Sequence, residues 1–253
     1  MTLKEVLNAH VASKNSDDEL FSYADPLQVA TKFKEPHIAL ICALFAYGNA
    51  KLIVKFLNSL DFSLLDENEE YIKKNLTNHK YRFQTTEDVK QIFITLSRLK
   101  RQGDIEEIFR RGFDKNHAMI DAINEFIKFI YSLNSYRSQG YEFFFSKPFD
   151  KSPSSPYKRY NMYLRWMVRD SDIDLGLFKN LNKKDLLLPL DVHTHRISLA
   201  LGLCTRKSYD FQTVLQITQK LIDFDENDPI KYDFSLYRIG QKSELNEIFS
   251  NIR

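Results

Sequence analysis

A chain of 253 residues with 43% hydrophobic side chains can fill a core as one large domain or two small ones, which sets disorder aside. Aromatics make up 13% while glycine and proline number only 7 each, which disfavours loop-rich β architectures and glycine-dependent nucleotide-binding α/β folds and leaves helix as the leading class. A formal net charge of +2 permits a polyanionic partner but excludes the signature of a general nucleic-acid binder, so any DNA contact must come from a local patch.

In chain order, Pro36-His37-Ile38 opens an apolar helix that reads to about Tyr47. Gly48-Asn49 then breaks it, and Lys51 to Leu57 resumes. Thr85 or Thr86 followed by Glu87 and Asp88 predicts a helix start for Val89 to Arg101, stopped by Gly103. Helices follow at Ile105 to Arg111 and Lys115 to Leu133, the latter with a core stripe through Ile123, Phe126 and Ile130. Pro148, Pro153 and Pro156 make Ser146 to Pro156 an ordered loop or hairpin. Tyr157 to Val168 is helical again, with Lys158, Met162, Arg165 and Arg169 at helical spacing along one side, read as a basic face. Asp191 has the chemistry of an N-cap and Gly202 that of a C-terminal stop, framing a short helix between them. Thr213 to Phe224 and Tyr232 to Ile239 close the series.

The two cysteines, Cys42 and Cys204, give no basis for a disulfide framework or a four-thiolate cluster. The longest apolar run, Ile38 to Tyr47, is about half of what a membrane span needs, and no signal peptide is evident. A cytoplasmic protein without a membrane partner is expected.

Two segments carry the chemistry. Ser155-Pro156-Tyr157-Lys158-Arg159-Tyr160-Asn161 looks like the exit of a hairpin into a lysine-bearing helix. Pro189-Leu190-Asp191-Val192-His193 looks like a Pro/Asp loop, followed by Arg196-Ile197 and Leu201-Gly202-Leu203. In this order the segments resemble the helix-hairpin-helix GPD (endonuclease III-like) DNA glycosylase superfamily. The chain as a whole also resembles an uncharacterised bacterial family of helical proteins. The residues make a physical case beside the likeness. Cleaving a base from deoxyribose builds positive charge on the sugar and needs a nucleophile at the anomeric carbon, which a deprotonated amine supplies. A helix-capping carboxylate stays ionised beside that charge and stabilises it.

The resemblance implies an all-α fold of two helical subdomains, approximately 30–145 and 146–240, with a helix-hairpin-helix motif in the second and a DNA-binding cleft between them. The N-terminal residues are left open to pack with the second. It implies Lys158 as the attacking amine and Asp191 as its carboxylate partner, in a bifunctional glycosylase and AP lyase acting as a monomer on double-stranded DNA with a damaged base. The Lys158–Asp191 separation exceeds that of endonuclease III and resembles archaeal-type 8-oxoguanine glycosylases, which makes 8-oxoguanine the expected base. No cofactor is required, and two separated cysteines cannot make the iron–sulfur cluster of the endonuclease III branch. A monovalent cation at the hairpin is in question, because Phe149 to Tyr157 contains no glycine to bring backbone close to an ion. Further candidates for contacting the nucleotide or DNA are His193, Asn49, Trp166, Tyr237, Arg159, Arg165, Arg196 and Lys207, each with a core, cap or solvated-face reading beside it.

Two other readings compete. Asp191-Val192-His193-Thr194-His195 after an apolar run also suits a metal-dependent hydrolase whose two histidines sit at a strand end, although His10, His37, His79 and His117 all lie upstream. A non-catalytic helical DNA-binding module is the third.

Overall fold

The computed structural model describes residues 1–151, 153–171, 173–242 and 244–251. Fifteen α-helices and no β-strand are present among them. They fall into two compact units, one of residues 24–150 and one of residues 1–23 with 151–253.

The continuous unit holds α3 (Leu27–Phe33), α4 (Pro36–Leu44), α5 (Ala50–Leu57), α6 (Glu69–Asn75), α7 (Thr86–Gln102), α8 (Ile105–Asn116), α9 (Met119–Leu133) and α10 (Gln139–Phe145). Its starts are chemically marked. Asn49 Oδ1 accepts from Lys51 and Leu52 N, and Thr85 and Asp88 form a reciprocal capping box at α7. The expected helix from Lys115 to Leu133 is instead two, because His117 adopts φ 53° and ends α8 before Ala118 opens α9. Those two helices form an antiparallel pair in which Phe109 stacks on Phe126 with centroids 4.4 Å apart.

The pair is closed by a glycine. A Cβ at Gly112 would lie 2.7 Å from both Ala122 Cα and Asp121 O, contacts with backbone that cannot yield. Ala at this position gains about 1 kcal/mol of helix propensity. Overpacking costs about 1–3 kcal/mol. Gly112→Ala is therefore expected to lower the urea unfolding midpoint; an unchanged or higher midpoint would show that α8 and α9 part freely.

The other unit contains α1 (Leu3–Lys14), α2 (Asp17–Ser22), α11 (Lys158–Val168), α12 (Val192–Ala200), α13 (Phe211–Phe224), α14 (Asp233–Lys242) and α15 (Leu245–Asn251). The chain's two ends are bound together here: Tyr232 Oη donates to Asn8 Oδ1 at 2.9 Å and Asn15 Nδ2 to the Lys231 carbonyl at 2.9 Å. Every residue of α11 from Tyr160 to Val168 is buried, so this helix is the unit's central rod rather than a surface element. Helix α12 ends as the sequence expects, with Gly202 at φ 71°, a conformation that costs a glycine nothing. It packs on α14, where Gly240 lets the backbone come up against His193 and Ile197.

Candidate active site

Lys158 is the first residue of α11 and half-exposed. The preceding Tyr157 turns through φ 47° and offers no side-chain cap. A cation there faces the positive end of the helix dipole, a placement that works against helix stability. The loop before it is tied down: Ser154 O accepts from Phe211 N at 3.0 Å, and Pro156 O accepts from Asn161 Nδ2 at 3.1 Å. Ser152, within the expected hairpin, lies outside the described residues.

Asp191 caps α12, its Oδ1 accepting from Thr194 N at 2.8 Å. Among the described residues its Oδ2 makes no hydrogen bond, so half of the carboxylate is uncommitted. Tyr209 stands nearby, donating its hydroxyl to the Leu190 carbonyl at 2.7 Å; desolvation first, and then the Asp191 charge, raises its phenol to about 12.

Asp233, at the start of α14, is buried within electrostatic range of both. Its carboxyl receives Arg165 Nη1 at 2.5 Å. Burial is the largest influence and pushes it up to about 6; Arg165 opposes the shift, the Asp191 charge adds to it, and the Lys158 charge reduces it. Lys158 and Asp191 therefore both act on one buried carboxyl. Arg165 also reaches Asp174 Oδ1 at 3.1 Å. Arg169 pairs with Asp174 and, at 2.9 Å, with Asp228, so five charges form one network, buried except for the part-exposed Asp228.

Asp233 makes a specific pH dependence. Its folded-state affinity for a proton exceeds that of an unfolded aspartate, near 3.9. The group thus favours the folded state fully below about pH 4 and loses that contribution as pH rises through about 6. The stability of Asp233→Asn relative to the parent is expected to rise between about pH 4 and pH 7, read from thermal melts at each pH. A flat difference would mean that the carboxyl titrates as in the unfolded chain.

The other anticipated residues are distributed unevenly. His193 and Arg196 lie exposed on α12; the His193 ring meets Tyr237 edge-on at 6.2 Å, and Arg196 Nη2 donates to the Gly240 carbonyl at 3.2 Å. Lys207 is exposed on the loop after α12, and Arg159 is half-exposed beside Lys158. Asn49 belongs to the other unit, where it is the cap of α5. Two expectations are corrected. Arg165 is no phosphate contact and the Arg165/Arg169 side of α11 is no basic surface, because both guanidinium groups are buried against carboxylates. Trp166 takes the core reading: it is buried inside α11's packing, and among the described residues its Nε1 has no hydrogen-bond partner.

His195 is buried, and its Nε2 lies 3.0 Å from the Arg206 carbonyl, so it pins the following loop. The strand end that a barrel hydrolase needs ahead of its histidines has no counterpart among the described residues. Sequence reasoning missed Asp233 and Tyr209; the signal for the first was an aspartate opening a helix, which reads as a plain cap.

The chain belongs to a family described as a protein of unknown function, DUF2400, whose profile matches residues 25–242. Comparison with curated proteins gives no match, nor does comparison with solved structures. No helix among the described residues is long and apolar enough to cross a membrane.

Proposed function

We propose that the protein is a bifunctional DNA glycosylase and AP lyase that removes an oxidised base, foremost 8-oxoguanine, through a Schiff base on Lys158. The observation that carries this reading is that Lys158 opens α11 and Asp191 caps α12 within one compact unit, both half-exposed and open to a substrate, with the charges of both felt at the buried Asp233 carboxyl. The uncommitted Oδ2 of Asp191 supports its role as the group that stabilises positive charge on the sugar. In the reaction, Nζ of Lys158 gives its lone pair to C1′ as the bond to the base breaks, and the base leaves with the bonding electrons and takes up a proton. The C1′–O4′ bond then breaks as Nζ sheds a proton and the ring oxygen takes one up, leaving an imine; loss of a C2′ proton moves its electron pair into a C2′–C3′ double bond and expels the 3′ phosphate. Exposed Arg196, Lys207 and His193 supply positive charge and hydrogen-bond donors for the phosphates.

Borohydride reduction tests the reading. Incubated with duplexes carrying single defined lesions, the protein should yield a covalent complex with the 8-oxoguanine duplex and none with undamaged DNA. Absence of an adduct across the lesion panel would defeat the proposal.

A further inference from the structure

We propose that the continuous unit carries its own binding surface for single-stranded nucleic acid, formed by Phe83, Phe143, Tyr47 and Arg82. Phe83 and Phe143 are 43% and 41% exposed and meet edge to face at 4.7 Å. Tyr47 joins them, 4.8 Å from Phe143 and 5.9 Å from Phe83. A cluster of aromatic rings open to water marks an interaction surface.

Its support is built for rigidity. Tyr81 and Gln84 exchange backbone hydrogen bonds of 3.2 and 2.9 Å, closing a tight turn. Buried Gln84 fastens the turn from below, donating to the Gly140 carbonyl at 3.1 Å and accepting from Tyr47 Oη; Tyr81 Oη donates to the Tyr47 carbonyl at 2.7 Å. The turn holds Arg82 at φ 54°, a left-handed conformation unfavourable for a residue with a side chain. The guanidinium lies 5.8 Å from the Tyr47 ring centroid and against Gly48, where a Cβ would stand 2.4 Å from Nη1. Backbone strain at one position and a glycine at another thus keep an exposed arginine beside three rings.

Charge selects the occupant. Lys51 and Lys55, one turn apart on α5, and Lys80 are exposed in the segments that flank Gly48 and Arg82. Among the described residues no carboxylate pairs with any of them or with Arg82, whereas Glu142, the acid preceding Phe143, is taken by Lys147 at 3.0 Å. Rings that accept a base face beside the uncompensated Arg82 guanidinium, with further cations on the flanking segments, match an unpaired nucleotide with its phosphates. A duplex hides its base faces, and an apolar protein partner has no use for the cations.

The test uses the full chain and two fluorescein-labelled oligomers of about ten nucleotides. One is oligothymidylate and the other has the same phosphates on abasic sugars. Fluorescence anisotropy should give about five- to a hundredfold tighter binding of the base-bearing oligomer. Phe83→Ala with Phe143→Ala should erase that margin. Arg82→Gly should weaken both oligomers while its unfolding midpoint holds or rises, since glycine relieves the turn. Equal affinity for the two oligomers, or a double variant that binds like the parent, would overturn the proposal. So would self-association in sedimentation that the double variant abolishes, which assigns the rings to a second copy. Base-dependent binding together with failed borohydride trapping would sink the glycosylase reading alone.

Discussion

Lys158→Gln is expected to abolish borohydride trapping and strand cleavage while leaving the protein folded. The amide cannot form an imine, so the covalent route closes. The side chain is half-exposed, and removing a cation from the N-terminus of α11 relieves its opposition to the helix dipole, a gain of about 0.3–1 kcal/mol. The same charge also eases the ionisation of buried Asp233, so the two effects offset and lost chemistry with little change in stability is the expected signature. Asp191→Asn is the companion experiment, because asparagine caps helices as well as aspartate does and keeps an acceptor for Thr194 N. What it removes is the negative charge, and the trapping rate should fall by about 10²- to 10⁴-fold. If Lys158→Gln is trapped as well as the parent, the nucleophile lies elsewhere; if Asp191→Asn is as fast, the carboxylate serves only as a cap.

The largest effect on stability is expected at Arg165. Replacement by Met leaves Asp174 and Asp233 in the interior without their shared cation, and breaking a buried pair in this way costs about 3–5 kcal/mol. Two features distinguish this from simple loss of packing. The cost should shrink in acid, since burial already raises both carboxyls and proton uptake neutralises them in the folded state first. Adding Asp174→Asn and Asp233→Asn to Arg165→Met should restore much of the loss, because no uncompensated charge then remains at these positions. Urea unfolding at neutral and acid pH measures both. A cost of the size of a surface substitution would mean that water reaches the network.

Helix ends were the most legible part of the sequence, because their chemistry is local. Thr85 with Asp88, Asn49, Asp191 and Gly202 each mark a boundary by a side chain or a turn that acts within three residues of itself. Less was legible where partners are remote. The spacing of Arg165 and Arg169 reads as an exposed basic face, since the neutralising carboxylates come from a loop, from the turn before Pro229 and from the start of α14. The same limit hid Asp233: its neighbours in sequence carry no sign that Lys158 and Asp191 act on it. The break at His117 was hidden too, because a non-glycine residue takes up the left-handed turn.

The knot of hydrogen bonds between the chain's two ends sets an order of birth. On the ribosome, Asn15 waits for a residue 216 positions later before its side chain meets its acceptor. At ordinary rates of translation that is roughly ten to forty seconds. Throughout that interval Val6, Leu7 and Leu20 have no finished interior to enter, while residues 24–150, a compact unit of continuous chain, can already condense. Synthesis thus separates the two units in time: residues 24–150 are complete while residues 1–23 still lack the partners that residues 151–253 bring.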